Sequence, residues 1–474
     1  MKKRSILSLW LISVSLLIGI LGILPISAAE ADSTPPAIDR ANAACVYNIE
    51  NDRVIFGKNA EETIYPASTV KLMTAILAVE AFGDDLGREI TVPSAAVAYV
   101  QGNNIALKRN EVITVEELLY ALICGGANDA ANVFAIEIAG GIEEFAVLMN
   151  EKAREIGAMN TFYTNPTGIH DPLMTTTAAD TAKIAAYAYE LDPIADMASV
   201  EKRVIEPTNK QKRRTIFNKN YYFSSLIEYK YLWSVPRGMN AGYTAEGGYC
   251  IATAAVRDGL TYIVTVMGAE ATEESIYSYT HAAELINWAL KNWGYVKVLT
   301  TSNMICEVPV RLSSKVDYVT LFPSENIELF LPLDVDVASD VVLDWALDVD
   351  SFTAPVQEGA VGGHLTVTFD GQNLGSFDLV TRNSVSRNNV LYVLDLLKDM
   401  TRTPTFRMII TAAVIAILAY LVILVLLVII RYRRLMPKRR PANRRSAIAA
   451  QNRPNPQSRT QKNPNPQQNF RNRK

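Results

Sequence analysis

Apolar positions recur along the chain in three rhythms, and each rhythm predicts a different kind of structure. Leu72, Ala75, Ile76 and Val79 fall at i, i+3, i+4 and i+7, as do Ile286, Ala289, Leu290 and Trp293, so each set predicts a helix with one apolar face. Thr114 followed by Glu117 forms a capping box ahead of a helix over Leu118 to Ile123. Cys250 to Val256 and Leu260 to Met267 flank Arg257, Asp258 and Gly259 as a hairpin. From Val298 to Arg382 the period changes to two: Leu343, Trp345, Leu347 and Val349 alternate with other residues, and so do Leu365, Val367 and Phe369 before an Asp370-Gly371 turn. This part predicts a small all-β domain. Val385 to Met400 then regains a helical pattern and leads through Pro404 into a long apolar run.

Two runs are apolar without interruption. Ile6 to Leu24 succeeds Lys2, Lys3 and Arg4 and precedes the small residues Ser27, Ala28, Ala29 and Ala31, the pattern of a secretory signal peptide over 1–29. The same run is long enough to remain as an uncleaved anchor. In both cases the body of the chain is exported. Met408 to Ile430 carries no charge over 23 residues, long enough to cross a hydrocarbon core of about 30 Å. Arg431, Arg433, Arg434, Lys438, Arg439 and Arg440 come directly after it, so the positive-inside bias places that flank in the cytoplasm.

Charge agrees with this topology. Of the 474 residues, 46 are Lys or Arg and 49 are Asp or Glu, a net −3 that excludes a generally basic nucleic-acid binder. The average conceals +3 in residues 1–29, −20 in 30–430 and +14 in 431–474, which hold fourteen basic residues and no acid. The last segment, rich in Arg, Asn, Gln and Pro, lacks the apolar residues for a core and is expected to be a disordered cytoplasmic tail. Cys45, Cys124, Cys250 and Cys306 are too widely spaced for a disulfide framework, and His170, His281 and His364 are scattered singly. No metal and no cofactor is expected.

Candidate chemistry begins at Tyr65-Pro66-Ala67-Ser68-Thr69-Val70-Lys71, where the first strongly periodic helix opens. A serine and a lysine three apart share a helix face, so the amine can reach the hydroxyl. Serine needs a neighbouring base, and lysine serves only where its surroundings keep it neutral. The pair alone is equally compatible with a capped surface helix.

Its company narrows the reading. The chain also carries Ala44-Cys45-Val46-Tyr47-Asn48-Ile49-Glu50-Asn51-Asp52, Asn128-Asp129-Ala130-Ala131, Asn160-Thr161-Phe162-Tyr163-Thr164-Asn165-Pro166-Thr167-Gly168 and Ala241-Gly242-Tyr243-Thr244-Ala245-Glu246-Gly247-Gly248-Tyr249-Cys250. With Pro66 to Thr74, these resemble the low-molecular-mass penicillin-binding proteins, the serine-type D-alanyl-D-alanine carboxypeptidases of bacterial cell-wall metabolism. The resemblance implies an α/β transpeptidase domain of the β-lactamase-like type, a small all-β domain and one C-terminal transmembrane helix. On that reading the order is signal peptide 1–29, acyl-serine domain 36–294, β-rich domain 298–382, linker with helix 383–407, span 408–430 and basic tail 431–474.

The resemblance further implies that Ser68 attacks a peptidoglycan stem peptide ending in D-Ala-D-Ala, with Lys71 as general base. Backbone N–H groups of Ser68 and Tyr243 would form the oxyanion hole. β-Lactams would be covalent inhibitors, and the ectodomain would face outward from a bacterial cell membrane, held by a single pass. Asn128 belongs to the family's Ser-x-Asn motif, but Gly126 stands where its serine should be. Asn240, Ala241 and Gly242 stand in place of Lys-Thr-Gly, the part that would bind the substrate's terminal carboxylate together with Tyr243 and Thr244. The lost serine removes a proton relay, a kind of step worth about 10²- to 10⁴-fold. The lost lysine removes a cation that would also disfavour protonation of Lys71. Three readings stay open: a working carboxypeptidase, a noncatalytic binder of wall peptides, and a β-lactamase-like hydrolase, the last lacking a recognisable deacylating carboxylate motif.

Other features read as structural. Lys210, Lys212, Arg213 and Arg214 form a basic run expected in a solvated loop, with an acidic wall polymer as the alternative partner. His170 is expected in a structural turn, Cys124 as a small buried thiol, and the aromatic residues from Tyr221 to Trp233 as core and strand surface rather than a glycan platform.

Overall fold

The computed structural model describes residues 33–224 and 229–435, so the signal-peptide segment and all but the first five residues of the tail lie outside it. Five antiparallel strands form the central sheet: β1 (Ala43–Asn48), β2 (Arg53–Lys58), β3 (Pro236–Thr244), β4 (Gly248–Arg257) and β5 (Leu260–Ala269), in the order β2-β1-β5-β4-β3. Every residue of β1 is buried. Its side chains alternate between two cores, with Ala43, Cys45 and Tyr47 in one and Ala44 and Val46 in the other. A strand buried on both faces shows no polar alternation, because helices cover both sides of the sheet.

One layer is built from α1 (Val70–Phe82), α2 (Val115–Ile123), α3 (Asn128–Ala139), α4 (Ile142–Ile156) and α5 (Ala178–Glu190). The other is α6 (Tyr277–Asn292), whose Tyr279 packs against the rings of Tyr222 and Tyr231. The expected single apolar face of α1 is corrected by the structure. Val70 through Ile76, then Ala78 and Val79, are all buried, including Lys71 and Thr74. Such a helix runs through the core rather than over it.

Other local signals resolve in detail. Thr114 accepts a hydrogen bond from Glu117 N at 3.2 Å, which caps α2. The Glu117 carboxylate accepts from Arg203 at 3.0 Å, so half of the capping box is given to tertiary packing. The β4–β5 hairpin closes on Asp258 and Gly259, both at positive φ, as a two-residue turn requires. Trp293, read as the last member of a helical stripe, instead ends α6 and begins a strand.

That strand, β6 (Trp293–Leu299), leads into the β-rich region. It pairs antiparallel with β9 (Ile327–Pro332), while β7 (Cys306–Arg311), β8 (Tyr318–Pro323), β10 (Val341–Leu347), β11 (Phe352–Thr353), β12 (Val361–Phe369) and β13 (Gln372–Thr381) form a sheet in the order β10-β12-β13-β8-β7-β11. Leu365 and Val367 are buried as their period predicts, and Asp370-Gly371 makes the turn at positive φ. Trp345 and Leu347 are 48% and 43% exposed, because β10 is an edge strand with that end uncovered. The Arg53 guanidinium lies over the rings of Trp293 and Phe369 and donates to the Phe330 carbonyl, tying the first sheet to the second region.

A second compact unit begins at Asn388. Val385 still pairs with Val356 in an isolated bridge, so the helix starts later than its periodicity suggests. Asn388 caps it by accepting from Val390 N and Leu391 N. This helix, Asn389–Arg402, is succeeded by one of 32 residues, Pro404–Leu435, long and apolar enough to cross a membrane.

The basic run is not uniformly solvated. Lys210, Lys212 and Arg213 are exposed, whereas Arg214 is largely buried and pairs at 2.7 Å with Glu111, whose side chain is 0% exposed. Glu111 also accepts from Thr208 Oγ1 and Lys108 N, both at 2.9 Å. Glu111→Ala would leave Arg214 buried without its counter-charge, and should lower unfolding free energy by about 3–5 kcal/mol in urea titration. A loss below about 1 kcal/mol would show the pair to be unimportant.

Candidate active site

Ser68 lies in a single 3-10 turn, Ala67–Thr69, immediately before α1. Ala67 adopts a positive φ of 48°, a conformation that costs a non-glycine residue roughly 1 kcal/mol or more and that recurs at functional sites. Thr69 Oγ1 donates to the Pro66 carbonyl at 2.6 Å and fastens the turn. Two glycines make room for it. A Cβ on Gly168, at φ +77°, would stand 2.0 Å from the Ala67 carbonyl oxygen. A Cβ on Gly242 would stand 2.3 Å from Ser68 Cβ and 2.5 Å from its Oγ. The edge strand β3 therefore reaches the serine only because position 242 has no side chain.

Lys71, the second residue of α1, is 2% exposed. Its Nζ lies 3.3 Å from Ser68 Oγ and donates to the Thr167 carbonyl at 2.5 Å. Burial pushes its pKa down from 10.5 to about 7. An amine that is neutral for a large fraction of the time near neutral pH, within reach of a serine hydroxyl, can act as its base.

The loop that receives this amine is ordered by one side chain. Asn165 Oδ1 accepts from Thr167 N, Thr167 Oγ1 and Gly168 N at 2.8–3.1 Å, and its Nδ2 donates to the Ile169 carbonyl at 3.0 Å. Thr74 Oγ1 donates to the Pro166 carbonyl at 2.7 Å, joining α1 to the same loop. Sequence reasoning assigned no role to Asn165, Thr167 or Gly168. The Asn-Pro pair with a glycine just beyond it marks a turn, but nothing local says that its carbonyl meets a lysine nearly a hundred residues earlier.

A cleft of about 330 Å³ opens beside the serine, lined by Ser68, Asn103, Lys219, Ala241, Gly242, Tyr243 and Cys250 together with the rings of Tyr221, Tyr249 and Tyr279. The structure thus brings Ser68, Ala241, Gly242 and Tyr243 together, with Lys71 behind the serine. Thr244 faces a separate hollow with Tyr65, Ala67 and His170, and its Oγ1 accepts from Gly247 N at 2.9 Å. His170 meets the Tyr65 ring edge-on, in keeping with a structural place.

Asn128 and Asn240 are not among the cleft-lining residues; each is 4% exposed. Asn128 Nδ2 donates to the Gln101 carbonyl at 2.7 Å, and its Oδ1 is buried without a partner, as is Asn240 Oδ1. Gly126 adopts φ +62°, so a serine there would be strained. Cys124 and Cys250 are fully buried thiols whose pKa values burial raises to about 12, which makes them inert. Among the described residues no cluster of metal-ligating side chains occurs.

Comparison with known proteins identifies the family and the fold. A family profile described as D-alanyl-D-alanine carboxypeptidase matches residues 29–271, and one described as penicillin-binding protein 5, C-terminal domain, matches 294–387. The chain is 27% identical to the D-alanyl-D-alanine carboxypeptidase DacF of Bacillus subtilis over 79% of its own length and 94% of that protein's. It is 24% identical to DacC of Escherichia coli over 76% and 87%. Penicillin-binding protein 5 of Haemophilus influenzae shares the fold with a TM-score of 0.54 at 24% identity, over 75% of this chain and 99% of that one. The carboxypeptidase DacD of Francisella tularensis does so with a TM-score of 0.57 at 20% identity, over 75% and 95%.

The contact at Gly242 is open to a direct check. Gly242→Ala should displace Ser68 and slow its covalent labelling by a fluorescent penicillin by about 100-fold, the usual cost of an ångström-scale misplacement. Because the added methyl overlaps Ser68 itself, at 2.3 Å from its Cβ, some loss of melting temperature should accompany the effect, so labelling is compared at a temperature where the variant remains folded. Labelling at the wild-type rate would show that β3 and the serine are not in the contact described.

Proposed function

The chain belongs to the D-alanyl-D-alanine carboxypeptidase family, and from that premise we propose that it acts on peptidoglycan stem peptides through an acyl-Ser68 intermediate. Ser68 Oγ attacks the carbonyl carbon between the two terminal D-alanines while Lys71 Nζ takes its proton. The backbone N–H groups of Ser68 and Tyr243 receive the oxyanion. The C–N bond breaks, the proton passes to the leaving amine, and D-alanine departs. Water then cleaves the ester, freeing Ser68 and the shortened peptide. The single observation that carries this reading is the buried Lys71 amine, 3.3 Å from Ser68 Oγ with its pKa pushed to about 7.

The edge position of β3 supports docking of the peptide as an added strand. Charge placement supports a topology with the folded body outside the cell and the basic flank of the last helix inside. A second reading is favoured by Gly126 and Asn240, which carry neither the hydroxyl nor the ammonium of the family motifs. On it the protein binds or traps wall peptides with slow or absent release.

Intact-mass measurement after incubation with a reporter penicillin separates the two outcomes at the first step. A single covalent adduct, absent from Ser68→Ala, is expected; no adduct at any concentration sinks the acyl-serine reading. Release of D-alanine from a pentapeptide then distinguishes turnover from trapping.

The pH dependence has a definite sign. The reactive form of Lys71 is the neutral amine, whose fraction grows as pH rises through its pKa. The acylation rate should therefore climb about tenfold per unit below pH 7 and level off above it. A rate that is flat or falls across pH 6 to 8 would remove Lys71 as the base.

A further inference from the structure

The proposed substrate ends in a carboxylate, yet the family position for its cation holds Asn240. The cleft nonetheless presents one ammonium. Lys219 lines it beside Ser68, Ala241 and Gly242, and among its described lining residues Lys219 alone carries a formal charge. Lys71 is not free for this task, being 2% exposed and required neutral.

The position of Lys219 is set by its neighbours. Asn218 and Asn220 on either side are 1% and 5% exposed, whereas Lys219 between them is exposed. Asn218 Nδ2 donates to the carbonyls of Ala198 and Val200 at 3.0 and 2.7 Å, and its Oδ1 accepts from Asn220 N at 2.9 Å. Asn220 Oδ1 accepts from Tyr222 N at 3.1 Å, and Lys219 N donates to the Cys124 carbonyl at 2.9 Å. Two buried asparagines thus pin the backbone and leave one long cationic side chain directed outward from a rigid base.

Its stem covers the altered second motif. A Cβ placed on Gly126 would lie 3.8 Å from Lys219 Cγ and 4.0 Å from its Cβ, with Asn103 Nδ2 at 3.7 Å. The space in front of the missing serine is therefore bordered by the lysine stem. Among the described residues no carboxylate pairs with the Lys219 ammonium, and none lines the cleft. We propose that Lys219 is the carboxylate-binding residue of this site, taking the C-terminal carboxylate of the peptide in place of the absent lysine at position 240. This rests on the peptide substrate proposed above and adds to it the residue that recognises the free C-terminus.

The test uses equilibrium binding, so it does not depend on turnover. The full chain in detergent, carrying Ser68→Ala, is titrated with a synthetic peptide ending in D-alanyl-D-alanine and with the same peptide as its C-terminal carboxamide. The carboxylate form should bind at least about tenfold tighter, as expected of a charge-assisted hydrogen bond. Adding Lys219→Gln should bring the two affinities within about twofold, and Lys219→Arg should keep the preference. An undiminished preference in Lys219→Gln overturns the assignment. So does a Ser68→Ala chain that binds neither peptide or fails to distinguish them. A preference that depends on Lys219 in a protein forming no penicillin adduct would sink the acyl-serine reading while leaving the carboxylate site standing.

Discussion

An amine taken out of water with no carboxylate beside it is costly to keep charged, and that cost organises the centre of this protein. Lys71 projects from a helix buried on nearly every side, and desolvation is the cause of its lowered pKa. Helices lie on both faces of the sheet, and α1 runs through one of the two cores they create. The amine still needs hydrogen-bond partners. It finds the Thr167 carbonyl, in a loop held by Asn165 and tied to α1 through Thr74. Had α1 lain on the surface, the same Ser-x-x-Lys spacing would have carried an ordinary solvated ammonium and no base.

The second constraint is closeness. The serine turn fits between Gly168 and Gly242, each so near that a methyl group would overlap it. Their permissiveness serves different ends: Gly168 needs both its positive φ and its missing side chain, whereas Gly242 needs only the missing side chain. The result places the free edge of β3 beside the nucleophile, where backbone N–H groups can meet developing charge without rearrangement. Two side-chain carbonyls in the altered motifs, on Asn128 and Asn240, stay buried without partners.

Much of the architecture was legible because its signals are local. Asp258-Gly259 and Asp370-Gly371 read as turns, and the structure closes both hairpins there with paired positive φ values. The final apolar run reads as a span and forms an unbroken helix. Local signals fail where an element's surroundings decide. Trp293 continued a helical period but joined β6, since a strand partner in Ile327–Pro332 overrode the pattern. Trp345 and Leu347 alternate as buried residues do, yet lie on an edge strand with no layer above them. At the site, Ser68 and Lys71 were visible from their spacing taken together with the family resemblance of the stretches around them. Lys219 was not, because only the folded chain brings its stem over Gly126.

The altered motifs acquire a physical meaning when the tasks of the absent lysine are separated. A cation at position 240 would both repel a proton from Lys71 and attract a substrate carboxylate. Asn240 does neither, but the two tasks need not be done by one residue. The lowered pKa of Lys71 has burial as its cause, without any neighbouring positive charge. Attraction of an anion requires an ammonium that solvent and substrate can reach, which Lys219 supplies from a loop. The arrangement has a consequence for the chemistry. A cation on a flexible, solvated stem steadies the bound carboxylate less rigidly than one fixed on a strand, so binding is retained more readily than rate. The missing serine at 126 falls on the same side of that balance, since a proton relay affects rate and not affinity. On the proposed reading, both departures therefore spare recognition and tax turnover.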